Sequence, residues 1–64
     1  MKGERLRFVT QNWDVLEMHY LRALPARKIS YQLGRAEEVV NEIIAKSWEM
    51  GIDHDVMRDY MASR

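Results

Sequence analysis

The chain has 64 residues, with ten Lys or Arg against ten Asp or Glu and no cysteine. A domain of this size buries only about 60% of the surface its unfolded form exposes, so its core is small and its stability marginal. Disulfides and thiolate metal sites are excluded, no apolar run nears the roughly 20 residues that span a bilayer, and "MKGERLRFVT" lacks the apolar core of a signal peptide. These features point to a cytoplasmic chain that makes no membrane contact. The zero net charge hides an asymmetry. Residues 1–32 carry six basic and three acidic groups, net +3, and residues 33–64 carry four basic and seven acidic ones, net −3. Such a split marks either an electrostatic binding face or ordinary solvation.

In chain order, residues 1–9 read as a basic arm, because "RLRF" alternates basic and apolar groups as an extended segment does. A first helix is expected from Thr10, whose hydroxyl would cap it. Val9, Trp13, Leu16, Tyr20 and Leu24 form its buried stripe, and Val15 and Met18 fall on the other side as a partly exposed flank or second contact surface. Pro25 suits the first turn of a short second helix over about 25–33, and Gly34 ends it with a left-handed backbone. A third helix is expected over about 36–50, with Val40, Ile43, Ile44 and Ser47 inward and Gly51 as its C-cap. Asp53 then caps a short fourth helix over about 54–62, with Val56, Met57, Tyr60 and Met61 on one side. That helix either completes the core or pairs with a second chain as a homodimer contact.

The expected fold is therefore all-α: a three-helix helix-turn-helix core over 10–52, with a short fourth C-terminal helix over 53–64. Its key constellation is Ile29, Leu33, Val40 and Ile43 around Gly34, the spacing at which two helices pack across a tight turn. Ser30 is small, as a close crossing of the two helices requires.

The stretches "FVTQNWDVLEMHYL" and "LPARKISYQLGRA", followed by Val40, resemble the small Myb/SANT-like, homeodomain-like helix-turn-helix domains of bacterial and phage proteins. The resemblance covers about residues 8–46. It implies a third helix that enters the major groove of DNA. It places phosphate contacts on Arg27, Lys28 and Arg35 and base readout on Ala36, Glu37, Glu38, Asn41 and Glu42. Asn41 is the best base contact, since asparagine bonds adenine in a bidentate manner. Arg5 and Arg7 on the arm would supply further contacts, in a minor groove. The chain departs from the family pattern at Ser30, where alanine is usual, and at Ala36, where a Thr or Ser cap is usual.

The first functional expectation is accordingly a small transcriptional regulator of duplex DNA, of the kind that phages and prophages encode. The acidic third helix supports an alternative. At about 100° per residue, Glu38, Glu42 and Glu49 lie within about 40° of the point opposite Val40, with Lys46 placed to neutralise Glu42 in part. A protein-interaction adaptor or inhibitor would use these carboxylates and Trp48 to meet a protein partner. Trp13 and Trp48 are both expected in the core, Trp48 at its edge. Met18, Met50, Met57 and Met61 read as gap-filling core or interface residues more than as an adaptable binding surface.

His19 and His54 lack a second ligand at metal-binding spacing, so no metal is expected. No nucleophile with its base and no glycine-rich phosphate loop is legible, and Glu37 and Glu38 sit on an open helix face. Neither an enzyme nor a cofactor is expected.

Overall fold

The computed structural model describes residues 2–63. The described residues form helices joined by short turns, without a strand: α1 (Lys2–Gln11), α2 (Trp13–Leu16) running on into a π-helical turn (Glu17–Leu21), α3 (Ala26–Leu33), α4 (Glu37–Glu49) and α5 (His54–Ala62). The all-α expectation holds, with five helices where four were expected.

The first departure is at the N-terminus. Residues 2–9 form most of α1, where an extended arm was expected, and Met1 lies outside the described residues. Glu4, Arg5, Leu6 and Arg7 are good helix formers, and Val9 is buried once the segment coils. Thr10 is no N-cap. It sits inside α1, where its hydroxyl donates to the Leu6 carbonyl at 2.8 Å. The break falls two residues later at Asn12 (φ −118, ψ 27), whose backbone N–H and side-chain amide both donate to the Phe8 carbonyl. Side-chain bonds to a carbonyl four residues back bend helices in this way.

Beyond the kink, the helix widens. Arg22 N–H donates to Glu17 C=O at 3.1 Å, a bond across five residues in place of four. The segment closes through Ala23, held at φ 56, and through Leu24 N–H to Met18 C=O at 2.9 Å. His19 Nδ1 lies 3.1 Å from the Leu24 carbonyl and must be the protonated nitrogen, because a carbonyl only accepts.

Helix α2 and its π turn lie between two apolar clusters. Val9 and Leu16 pack with Ile52 and Met57 in one. Val15 and Met18 pack with Ile29 and Val40 in the other. Of the two expectations for Val15 and Met18, the second contact surface holds and the exposed flank does not: both side chains are buried. A single apolar stripe presupposes a single core, whereas this helix has a core on each side. The π turn also brings Tyr20 to α4, where its hydroxyl and Ser47 Oγ are 2.6 Å apart. Ser47 Oγ in turn donates to Ile44 C=O, so the one buried polar side chain among the described residues is satisfied.

Pro25 stands just before α3 as its cap, in extended conformation, and its carbonyl accepts from Ile29 N–H. The turn to α4 is built as the glycine signal implies. Gly34 has φ 65, and Arg35 N–H returns to Ser30 C=O. The Ser30 hydroxyl donates to Arg35 C=O as well, so this small residue also fastens the turn. Ile29 and Val40 are buried together, with Leu33 and Ile43 packed against them.

Helix α4 ends through Gly51 (φ 76), with Ile52 N–H to Ser47 C=O and Gly51 N–H to Trp48 C=O. This is the paired bonding of a glycine-terminated helix, and buried Ile52 supplies its apolar contact. The Asp53 side chain then accepts from Val56 N–H at 3.0 Å and starts α5, as expected. Helix α5 docks on its own chain, because Met57 is buried in the cluster of Val9, Leu16 and Ile52. Of the side offered for a homodimer, Met57 is thus already covered, Val56 and Tyr60 are half-buried and Met61 stays 52% exposed. No helix among the described residues is long and apolar enough to cross a membrane.

Candidate functional site

The outward side of α4 gathers most of the candidate residues. Its inward side is set by Val40 and Ser47, both buried. Taking Val40 as the origin, Trp48 and Asn41 lie at about 80° and 100°, Ala45 at about 140°, and Glu38, Glu49 and Glu42 between about 160° and 200°. All six are exposed. The result is one surface: an acidic ridge along the helix, bordered by an amide, a methyl group and an indole. Trp48, expected at the edge of the core, is instead 64% exposed. The inward side is taken instead by Ile44, packed against the second cluster, and by Ser47, bonded to Tyr20 of the π turn.

The ridge is not neutralised from within. Among the described residues, no cation lies within ion-pair distance of Glu38, Glu42 or Glu49, and Lys46 does not close on Glu42. Glu38 and Glu42 are four residues apart, the spacing at which like charges destabilise a helix by about 0.2–0.5 kcal/mol. Glu37 and Glu38 sit in the first turn, where the helix dipole favours them. Glu42 and Glu49 lie beyond that turn.

The basic candidates are spread over α1, α3 and the turn before α4. Arg27 and Lys28 are exposed on α3. Arg35, in the turn before α4, is engaged by Asp14 of α2, with Nη2 to Oδ2 at 3.4 Å and both side chains about 40% exposed. Arg5 packs against the turn at the far end of α4, where a Cβ placed on Gly51 would stand 3.4 Å from its Nη2. The 13-residue helix α4, at about 1.5 Å per residue, keeps it about 20 Å from the Arg35 end. Arg7 is exposed on α1. Because α1 is a helix tethered to the α2 axis, neither arginine belongs to an extended arm reaching a minor groove. This corrects that part of the DNA expectation.

Several participants carry no signal in the sequence. Asp14 holds Arg35 across 21 residues of sequence, a contact with no local signature. Tyr31 on α3 is 89% exposed, and Val39 on α4 is also exposed. A further surface lies elsewhere: Leu6, Val9, Thr10, Trp13, Tyr60 and Ser63 line a recess of about 300 Å³ between α1, α2 and α5. No group of three metal-ligating side chains converges among the described residues.

Comparison with protein-family models, with curated proteins and with solved structures finds no match for this chain. The Myb/SANT-like resemblance therefore rests on the quoted residues alone.

Proposed function

We propose that this chain is a small protein-interaction module, an adaptor or inhibitor, whose outer α4 face docks on a basic surface of a partner protein. One observation carries this reading: Glu38, Glu42 and Glu49 form a ridge on which no carboxylate closes an ion pair, with Lys46 at its edge, beside a tryptophan left 64% exposed. Exposed tryptophans are enriched among residues that dominate binding energy, and a cationic partner would relieve the like-charge repulsion along the ridge. DNA is a poor complement to it. A duplex carries one negative charge per roughly 1.7 Å of axis, and a helix bearing three carboxylates would meet that field unfavourably.

A second reading, a small regulator of duplex DNA of the phage or prophage kind, is favoured by α3, its Gly34 turn and α4. There Arg27 and Lys28 stand exposed on the first helix and Asn41 on the second. Arg35 would have to exchange Asp14 for a phosphate.

The test is capture from host lysate with and without nuclease, comparing wild type, E38K/E42K, W48A and R27E/K28E. The substituted side chains are exposed, so circular dichroism should show unchanged helicity. Nuclease-resistant capture lost in E38K/E42K and in W48A is the expected result. Nuclease-sensitive capture, lost only in R27E/K28E, would transfer the conclusion to DNA.

A further inference from the structure

The basic first half and the acidic second half of the chain separate on its surface onto two neighbouring helices. Helix α3 carries Arg27 and Lys28 and no carboxylate. Taking its buried Ile29 as the origin, Arg27, Tyr31 and Lys28 lie at about 160°, 200° and 260°, all on the outer side. All three are exposed, and Tyr31, at 89%, packs in neither apolar cluster. Among the described residues no acid closes an ion pair with Arg27 or Lys28. The outer α4 face is the converse, with three unpaired carboxylates, Lys46 at the edge and Trp48 alongside. Spacing agrees as well as sign. Arg27 and Tyr31 are four residues apart, as are Glu38 and Glu42, which is about 6 Å along either helix axis.

We propose that the outer α4 face of one copy docks on the outer α3 face of a second copy. The proposal rests on the α4 face being a docking surface for cations, and it names the chain's own α3 as a basic protein surface that fits it. One copy cannot close this contact alone. Its two faces lie opposite Val40 and Ile29, the buried side chains through which α3 and α4 pack together. Between copies, Glu38, Glu42 and Glu49 meet Arg27 and Lys28, while Trp48 and Tyr31 supply apolar area near the ion pairs. The two surfaces differ, so the contact is heterologous. Exposed ion pairs are weak, and one side each of an 8-residue and a 13-residue helix offers less than the roughly 800 Å² per partner of a standard interface. The dissociation constant should therefore be high, about 0.1 mM.

Sedimentation velocity of the nuclease-treated chain across about 10 µM–1 mM, at low and high salt, tests this. The expected result is association that weakens with salt and is lost in E38K/E42K and in R27E/K28E. All four substitutions in one chain reverse both faces at unchanged net charge, and should bring association back to within about threefold of wild type. R7E/R58E, exposed and off both faces, has the net charge of R27E/K28E and should associate like wild type. Tyr31→Ala changes no charge and should weaken the contact about tenfold. Every substituted side chain is exposed, so circular dichroism should show unchanged helicity. A wild-type chain monomeric throughout that range overturns this proposal alone, because capture of a partner from lysate does not depend on it. Association that persists in E38K/E42K overturns both this proposal and the α4 reading. Association lost equally in R7E/R58E, not regained by the fourfold variant, or indifferent to Tyr31→Ala overturns the α3 contact.

Discussion

The two apolar clusters flanking α2 hold the same helix by different means. On one side Ile29 and Val40 come from helices joined by a tight turn, fastened by Gly34, by Arg35 N–H to Ser30 C=O and by the Ser30 hydroxyl. On the other side Val9 and Met57 come from opposite ends of the chain, and each end is one short helix. Closing a short turn costs little chain entropy, while joining distant segments costs more and must be offset by burial alone. The α3–α4 side should therefore be the stiff half that presents the outer α4 face. The α1–α5 side should open first.

Ile29→Ala should break the stiff half and with it the domain. Removing a fully buried isoleucine costs about 3–4 kcal/mol, most of the stability a domain of this size can have. Loss of the cooperative thermal transition would confirm it. Met57→Ala should cost less, about 2–3 kcal/mol, and act locally. Hydrogen exchange should accelerate across α5 while amides of α3 and α4 keep their protection. Uniform acceleration throughout the chain would show that the two halves do not differ.

Smaller changes sharpen the same contrast at the turns. Gly34→Ala should destabilise by about 1 kcal/mol through backbone strain alone, because no atom stands within 4 Å of an added Cβ. Gly34→Asn should cost less, as asparagine tolerates the left-handed region. Ala23→Gly should do the reverse. It replaces a side chain held at φ 56 and should stabilise by about 0.5 kcal/mol, after allowing for the greater freedom of glycine in the unfolded chain. Chemical denaturation of the three variants reads both signs.

The same contrast explains which parts of the fold were legible beforehand. Gly34, Gly51 and Asp53 act on backbone groups within a few residues, so their roles can be read from the residues themselves. For Val15 and Met18 spacing left two alternatives open, an exposed flank or a second contact surface, because their burial depends on a second core assembled from other elements. The π turn and the bend at Asn12 have no strong compositional mark. Thr10 illustrates the ambiguity: the same hydroxyl can cap a helix that begins or bond backward within one that continues. At the candidate face, helical spacing alone located Glu38, Glu42 and Glu49. The Arg35–Asp14 pair and the exposure of Trp48 required the packing of α2 against α4.

The proposed docking of the outer α4 face on a cationic protein surface, in place of a duplex, can be checked on the purified chain. Fluorescence anisotropy with labelled duplex DNA at about 50 mM salt tests it most directly, where phosphate-driven binding is strong. The expected result is no saturable binding by the wild-type chain, and measurable, salt-sensitive binding once E38K/E42K reverses the ridge. Salt-sensitive binding by the wild type, lost in R27E/K28E and unimproved by E38K/E42K, would contradict it.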